Sequence, residues 1–292
     1  MIKSVLLGIL FFITVQAMYS QILEYTEADS LKVIHLLNEA KYKSPDENLQ
    51  LFFARKLIGT PYVSGTLDRN KEEKLVVNLC EVDCTTYVEY ITALSITVMR
   101  GKTSFQDFTD VLKQLRYRNG ELNGYASRLH YFSDWIIDNE GKGFIRETTG
   151  CFSKDSLRLQ LNYMTRYSDK YLPLKKNPRL TEAIDRAEKA LYGINVPFLK
   201  KELLNNPEVI QQINEGDIVA ITTNIEGLNI VHTGLAVRID EQLYLLHASS
   251  QLGKVALTTE PLSLYLQNKA TMTGIRTLRL NKKLSEESKP DR

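Results

Sequence analysis

Cysteine is scarce in this chain, and so is any excess of charge. Three cysteines, Cys80, Cys84 and Cys151, are too few for a disulfide-stapled scaffold. A formal net charge of +2 over 292 residues, with no basic or acidic block, gives no electrostatic reason to expect a nucleic-acid partner. Cys80 and Cys84 form one close pair, but no second pair of Cys or His stands at tight ligand spacing to complete a site, so neither a metal nor any other cofactor is expected. Internal repeats and low-complexity linkers are missing too. Past the first twenty residues, no apolar run is long enough to span a bilayer. What remains is a chain of ordinary globular composition, long enough to bury a core.

The N-terminus reads differently. Lys3 gives a positive start, Val5 to Val15 is almost unbroken apolar sequence, and small residues follow at Ala17 and Ser20. Residues 1–20 are therefore expected to be a cleavable signal peptide, with cleavage after Ala17 or Ser20. No cysteine lies near those sites, so a lipid anchor is not expected. The mature protein is expected to be periplasmic or secreted, with no stable membrane insertion. In such an oxidising compartment, an odd cysteine count leaves at least one thiol free or paired between molecules.

Helical spacing runs over 29–40, 47–58, 84–100, 105–115 and 129–138. Gly59 caps the second of these and Pro61 blocks its continuation. The segment 155–206 is polar, lysine-rich and helical in character, with Pro173, Pro178 and Pro197 as breaks. Strands are expected over 217–222, 230–239, 243–248 and 274–280. Helices first and an antiparallel sheet afterwards is the α+β pattern. The expected organisation is one domain over 21–285, with a helical insertion near 155–206 and a polar tail over 286–292.

Asp83 is an N-cap residue, which puts Cys84 in the first turn of a helix. Free N–H groups and the macrodipole there favour a thiolate, and they are placed to hold an oxyanion. A base must come from elsewhere, and the chain has only four histidines. His232 and His247 flank a two-residue turn at Asp240-Glu241, which makes position 232 face 249 and places His247 diagonally from His232 on one face. Such diagonal neighbours lie ~7–8 Å apart, within reach of two rings. Gly234 and Ala236 share that face and would let a helix approach closely, a place for the helix bearing Cys84. His130 is not needed for this chemistry, and Asp83 reads as a cap rather than an acid.

The motifs GTPY (59–62), DCTTYVE (83–89), VHTGLAV (231–237) and LLHASS (245–250), in that order, resemble the NlpC-type cell-wall cysteine hydrolases of papain-like fold. The resemblance is closer to a bacterial branch of N-acetylmuramoyl-L-alanine amidases first catalogued as a domain of unknown function. NLCEVDCTTYVE, SRLHYFSDW, GDIVAITT, HASSQLGKV and GIRTLRL all look like that branch, over residues 45–280. It implies Cys84 as nucleophile, His232 as base, His247 as its orienter and Tyr62 as an oxyanion donor. It implies peptidoglycan fragments, anhydro-muropeptides above all, as substrate, and the lactyl–L-Ala amide as the scissile bond. Arg128, Tyr131, Trp135 and Ser249 are the candidate substrate contacts. Two other readings stand beside it: a γ-D-glutamyl-diamino acid endopeptidase, or a cell-wall-binding relative without activity. Cys80 stands where that branch would carry a basic residue, so a Cys80–Cys84 or a Cys80–Cys151 bridge has to be considered.

Overall fold

The computed structural model describes residues 22–44 and 47–282. The expected signal peptide and the polar tail lie outside the described residues. Five helices precede the main strands: α1 (Glu27–Ala40), α2 (Leu49–Lys56), α3 (Cys84–Met99), α4 (Phe105–Arg116) and α5 (Phe132–Gly141). α6 (Pro178–Leu191) lies in the insertion, and α7 (Leu262–Gln267) is a short helix between the last two strands. None of the described helices is long and apolar enough to cross a membrane.

α3 is the central helix. Every residue from Thr86 to Thr97 is buried, so it has no solvent face. Helices hydrophobic all round occupy interiors, and the hydroxyls on this one must be satisfied there. Thr92, Ser95 and Thr97 each donate back to the carbonyl four residues earlier, at 2.8, 2.8 and 2.7 Å. Glu89 is equally enclosed and pairs with Arg116 of α4 at 2.7 Å, while Arg116 also donates to the Val76 carbonyl at 2.6 Å. Burial pushes the Glu89 carboxyl above its usual range, and Arg116 pulls it back.

β1 (Leu23–Glu24) and β2 (Leu75–Val76) form a separate parallel pair, whereas the main sheet is antiparallel throughout. Its order is β10 (Lys254–Leu257), β9 (Gln242–Ser249), β8 (Ile230–Ile239), β7 (Ile218–Thr223), β11 (Met272–Leu280) and β3 (Ile145–Glu147). A seventh strand, β6 (Leu199–Lys200), also pairs with β11. Two of the strands thus come from before residue 217, too short to show a period-two pattern. The helical insertion is expected near 155–206. There β4 (Ser156–Arg158) pairs with β5 (Asn195–Pro197), and both precede or follow α6 and its own small core of Leu159, Leu161, Ile184 and Val196.

Each face of the sheet buries a different core. Leu235, Val237, Leu246 and Ala248 pack with α1 to α5 in the large core. Ala236, Leu243, Leu245, Leu262 and Leu266 form the second core, under α7. β8 and β9 turn at Asp240 and Glu241, whose φ values of 45° and 63° are the positive pair a tight hairpin turn needs.

Candidate active site

The register from Leu235↔Leu246 to Ile239↔Gln242 brings His247 opposite Gly234 and diagonal to His232. The two rings meet: His232 Nε2 lies 2.5 Å from His247 Nδ1, with ring planes at 87°. This works only because position 234 is glycine. A Cβ there would sit 2.8 Å from Leu245 Cγ and 2.9 Å from His247 Cβ. The expectation that small residues on this face admit the helix bearing Cys84 is therefore corrected. Gly234 makes room for β9 side chains, Ala236 faces the α7 core, and α3 packs against the other face through Leu235 and Val237.

Cys84 is brought to the strand of His232 by another route. Ala236 exchanges backbone hydrogen bonds with the β7 side, with Asp217 and Gly216. Thr233, an odd number of positions away, turns its amide toward β9. No strand partner meets it there, because the β8–β9 ladder stops at Leu235–Leu246. The start of α3 fills the vacancy: the Thr233 hydroxyl donates to the Cys84 carbonyl at 2.8 Å, and its amide and hydroxyl lie against the thiol. A bulge in β8 between the pairs Ile221↔His232 and Thr222↔Ile230 adds a residue just before His232. Bulges of this kind bend a strand and re-aim its side chains.

Asp83 caps α3 as expected, accepting from the Thr86 amide at 2.8 Å while the Thr86 hydroxyl accepts from the Asp83 amide at 2.9 Å. The expected depression of the Cys84 pKa does not follow. Burial comes first and the Asp83 carboxylate second, and together they push the thiol up to about 11, against the hydrogen bonds from Thr233 and Thr85. The cap that starts the helix thus brings a negative charge next to the sulfur. Burial likewise holds His232 neutral, down to about 3, with His247 and then Lys269 adding repulsion. His247 is held down to about 4 by burial and Lys269. At neutral pH the site holds an uncharged thiol and two uncharged imidazoles.

Tyr62 stands beside them. The turn after α2 is stitched to β10 by Gly59 N–H to Val255, Val255 N–H to Thr60 and Tyr62 N–H to Gly253, and to the residues before Cys84 by Val63 N–H to Val82. Burial, then Cys84, then Asp83 push the Tyr62 hydroxyl up to about 12, so it stays a protonated donor. Tyr265 of α7, which the sequence reading passed over, closes the far side. Its ring meets His247 edge-on at 5.7 Å, and Cys84 helps raise its pKa. Its signal was an aromatic on a short amphipathic turn, easily taken for core. Thr233 was hidden by its position on the opposite face from His232.

The four expected substrate contacts are placed otherwise. Trp135 has 0% exposure and stacks on Phe132 in the large core, so it offers no surface to a ligand. Arg128 is buried against Asp68 and Glu73 and over the Tyr125 ring, which leaves no free guanidinium. The Tyr131 hydroxyl donates to Glu188 at 2.6 Å and accepts from the Met164 amide, tying it to the insertion. Ser249 accepts from the Leu252 amide at 3.1 Å and shapes the β9–β10 turn. His130 bonds the Tyr125 carbonyl, and burial holds it well below its usual pKa. All three cysteines are free thiols, so neither considered bridge is formed. Among the described residues, no group of His, Cys, Asp or Glu is gathered that could hold a metal ion.

Residues 52–275 match the family described as AmiA-like, N-acetylmuramoyl-L-alanine amidase-like. A crystal structure of an N-acetylmuramoyl-L-alanine amidase from Bacteroides uniformis is 40% identical, with a TM-score of 0.77 over 80% of this chain and 98% of that one. A protein from Bacteroides fragilis described as a putative xylanase is also 40% identical, with a TM-score of 0.75 over 78% and 99% of the two chains. A Legionella pneumophila protein from a family of unknown function shares the fold, at 22% identity and a TM-score of 0.67 over 87% and 95%. No curated protein matches this chain.

Proposed function

The chain belongs to the N-acetylmuramoyl-L-alanine amidase-like family, and from that premise we propose that it is a cysteine-dependent amidase that cuts the lactyl–L-Ala amide of peptidoglycan fragments, anhydro-muropeptides above all. The observation that carries the reading is the meeting of His232 with His247 beside a helix-start thiol. We read the fold as papain-like, in one domain carrying the 155–206 insertion, and residues 1–20 as the signal that exports it to the periplasm or medium.

The chemistry follows from the resting charges. With Nε2 committed to His247, His232 has Nδ1 left to take the thiol proton as the sulfur attacks the amide carbonyl carbon. In that tautomer His232 donates from Nε2 to His247 Nδ1, which fixes the ring and spreads the developing charge. The Cys84 amide at the helix start and the neutral Tyr62 hydroxyl receive the oxyanion. His232 then returns the proton to the leaving amine, releasing the peptide with a free L-Ala amino group. A thioester between Cys84 and the lactyl acyl group remains, and water hydrolyses it to the acid and the thiol. Because the thiol starts neutral, proton transfer accompanies attack rather than preceding it.

The xylanase description borne by one relative fits this site poorly. Glycosidases place two carboxyl groups across the scissile bond, whereas the groups gathered here are a thiol, two imidazoles and two phenols, and Asp83 is committed to the helix cap. Digestion of a defined anhydro-muropeptide, with the fragments identified by mass spectrometry, tests the reading. Release of the intact stem peptide is expected. A sugar still carrying L-Ala-D-Glu would instead select the γ-D-glutamyl endopeptidase.

A further inference from the structure

Lys269 stands near the histidine pair without an ion-pair partner among the described residues; the neighbouring carboxylate, Glu260, accepts from the Asn268 side-chain amide at 3.3 Å instead. It lies two residues past α7 and is half-buried. Its ammonium lies over the Tyr265 ring, 4.9 Å from the ring centre. That ring meets His247 at 5.7 Å, and His247 holds His232. A second ammonium is close by, since Lys201 Nζ donates to the Lys269 carbonyl at 3.4 Å.

A positive charge here works against the reaction in the free enzyme. The mechanism needs an imidazolium on His232, and Lys269 repels positive charge on both rings. Attraction between fixed charges in a partly enclosed site is strong enough to select a ligand, and the ligand that would cancel this cost is an anion. The leaving half of a muropeptide carries one: beyond the scissile amide and its L-Ala, the next residue bears a free carboxylate.

We propose that Lys269 is a specificity residue that receives the first free peptide carboxylate beyond the scissile amide, reached along the Tyr265 ring. The inference rests on the amidase reading. A carboxylate seated on Lys269 restores charge balance beside the histidines, so an anionic substrate helps to complete the site that cuts it. An analogue in which that carboxylate is an amide leaves the cation uncompensated.

1,6-Anhydro-N-acetylmuramoyl-L-Ala-γ-D-Glu-diaminopimelate and the same compound with D-isoglutamine in place of D-Glu differ only in that carboxylate and make the comparison direct. The wild-type protein should prefer the free acid by about 10-fold in kcat/KM, the scale of a charge-assisted hydrogen bond. Lys269→Gln should collapse that ratio to about one, mainly through KM, and Lys269→Arg should retain it. A wild-type protein without preference, or an undiminished ratio in Lys269→Gln, would overturn the proposal. Calorimetric binding of both compounds to Cys84→Ala protein reads the same preference without turnover. If the wild-type protein cleaves neither compound, the amidase reading fails, while the binding comparison still decides the role of Lys269.

Discussion

Cys84 should react slowly with iodoacetamide in the resting protein, and the rate should climb with pH through neutrality. Burial and Asp83 move its pKa from the ordinary 9.0 to about 11. At pH 7 this leaves roughly 100-fold less thiolate than an ordinary cysteine would have. The more basic sulfur is the better nucleophile, and with a Brønsted coefficient of about 0.4–0.5 that recovers roughly 10-fold. The net expectation is alkylation about 10-fold slower than for the same residue in urea-unfolded chain. Peptide mapping separates it from Cys80 and Cys151, which are exposed. A His232→Gln protein should react at nearly the same rate, because no imidazolium holds the sulfur. The opposite result would refute the reasoning. Fast alkylation with a plateau below pH 8, lost in His232→Gln, would mean a preformed thiolate–imidazolium pair.

Three further outcomes follow from the packing. Gly234→Ala should push His247 off His232, lowering kcat by about 10-fold or more and stability by about 1–3 kcal/mol in urea titrations, as overpacking does. Glu89→Gln leaves Arg116 charged and enclosed and should cost about 3–5 kcal/mol by the same measurement. Acid should destabilise the protein through the histidine pair. Unfolded histidines protonate near 6.5 while His232 and His247 resist to about 3 and about 4, so the unfolded state binds more protons below pH 6.5. Their contribution is whole above that pH and is lost as pH falls toward 4 and then 3. Urea melts of a His232→Gln/His247→Gln protein should show a shallower acid decline.

Much of the site could be read from spacing. The strand 230–239 and the two-residue turn at Asp240-Glu241 follow from alternation and turn chemistry, and those two facts bring the histidines together. The capping box at Asp83 is equally local. What escaped were consequences of distant contacts. Arg128 looked free because Asp68 and Glu73 come from a loop some sixty residues earlier in the chain. Trp135 looked available because one stripe of an amphipathic helix does not say which partner covers it. The thiol's pKa departs from the expectation for a different reason: helix dipole, cap charge and burial act together, and burial, the largest of them, is not visible in sequence. Likewise β3 and β6 are too short to declare themselves, and they join the sheet only because β11 offers an edge.

The central claim is that the Cys84 sulfur attacks the carbonyl of the lactyl group. Rapid acid quench of a reacting anhydro-muropeptide, followed by mass spectrometry of the Cys84 peptide, measures it directly. The expected adduct is the sugar-lactyl acyl group alone, absent in Cys84→Ala protein, which should not turn over. An adduct that also carries L-Ala-D-Glu, or hydrolysis that persists in Cys84→Ala, would contradict the account.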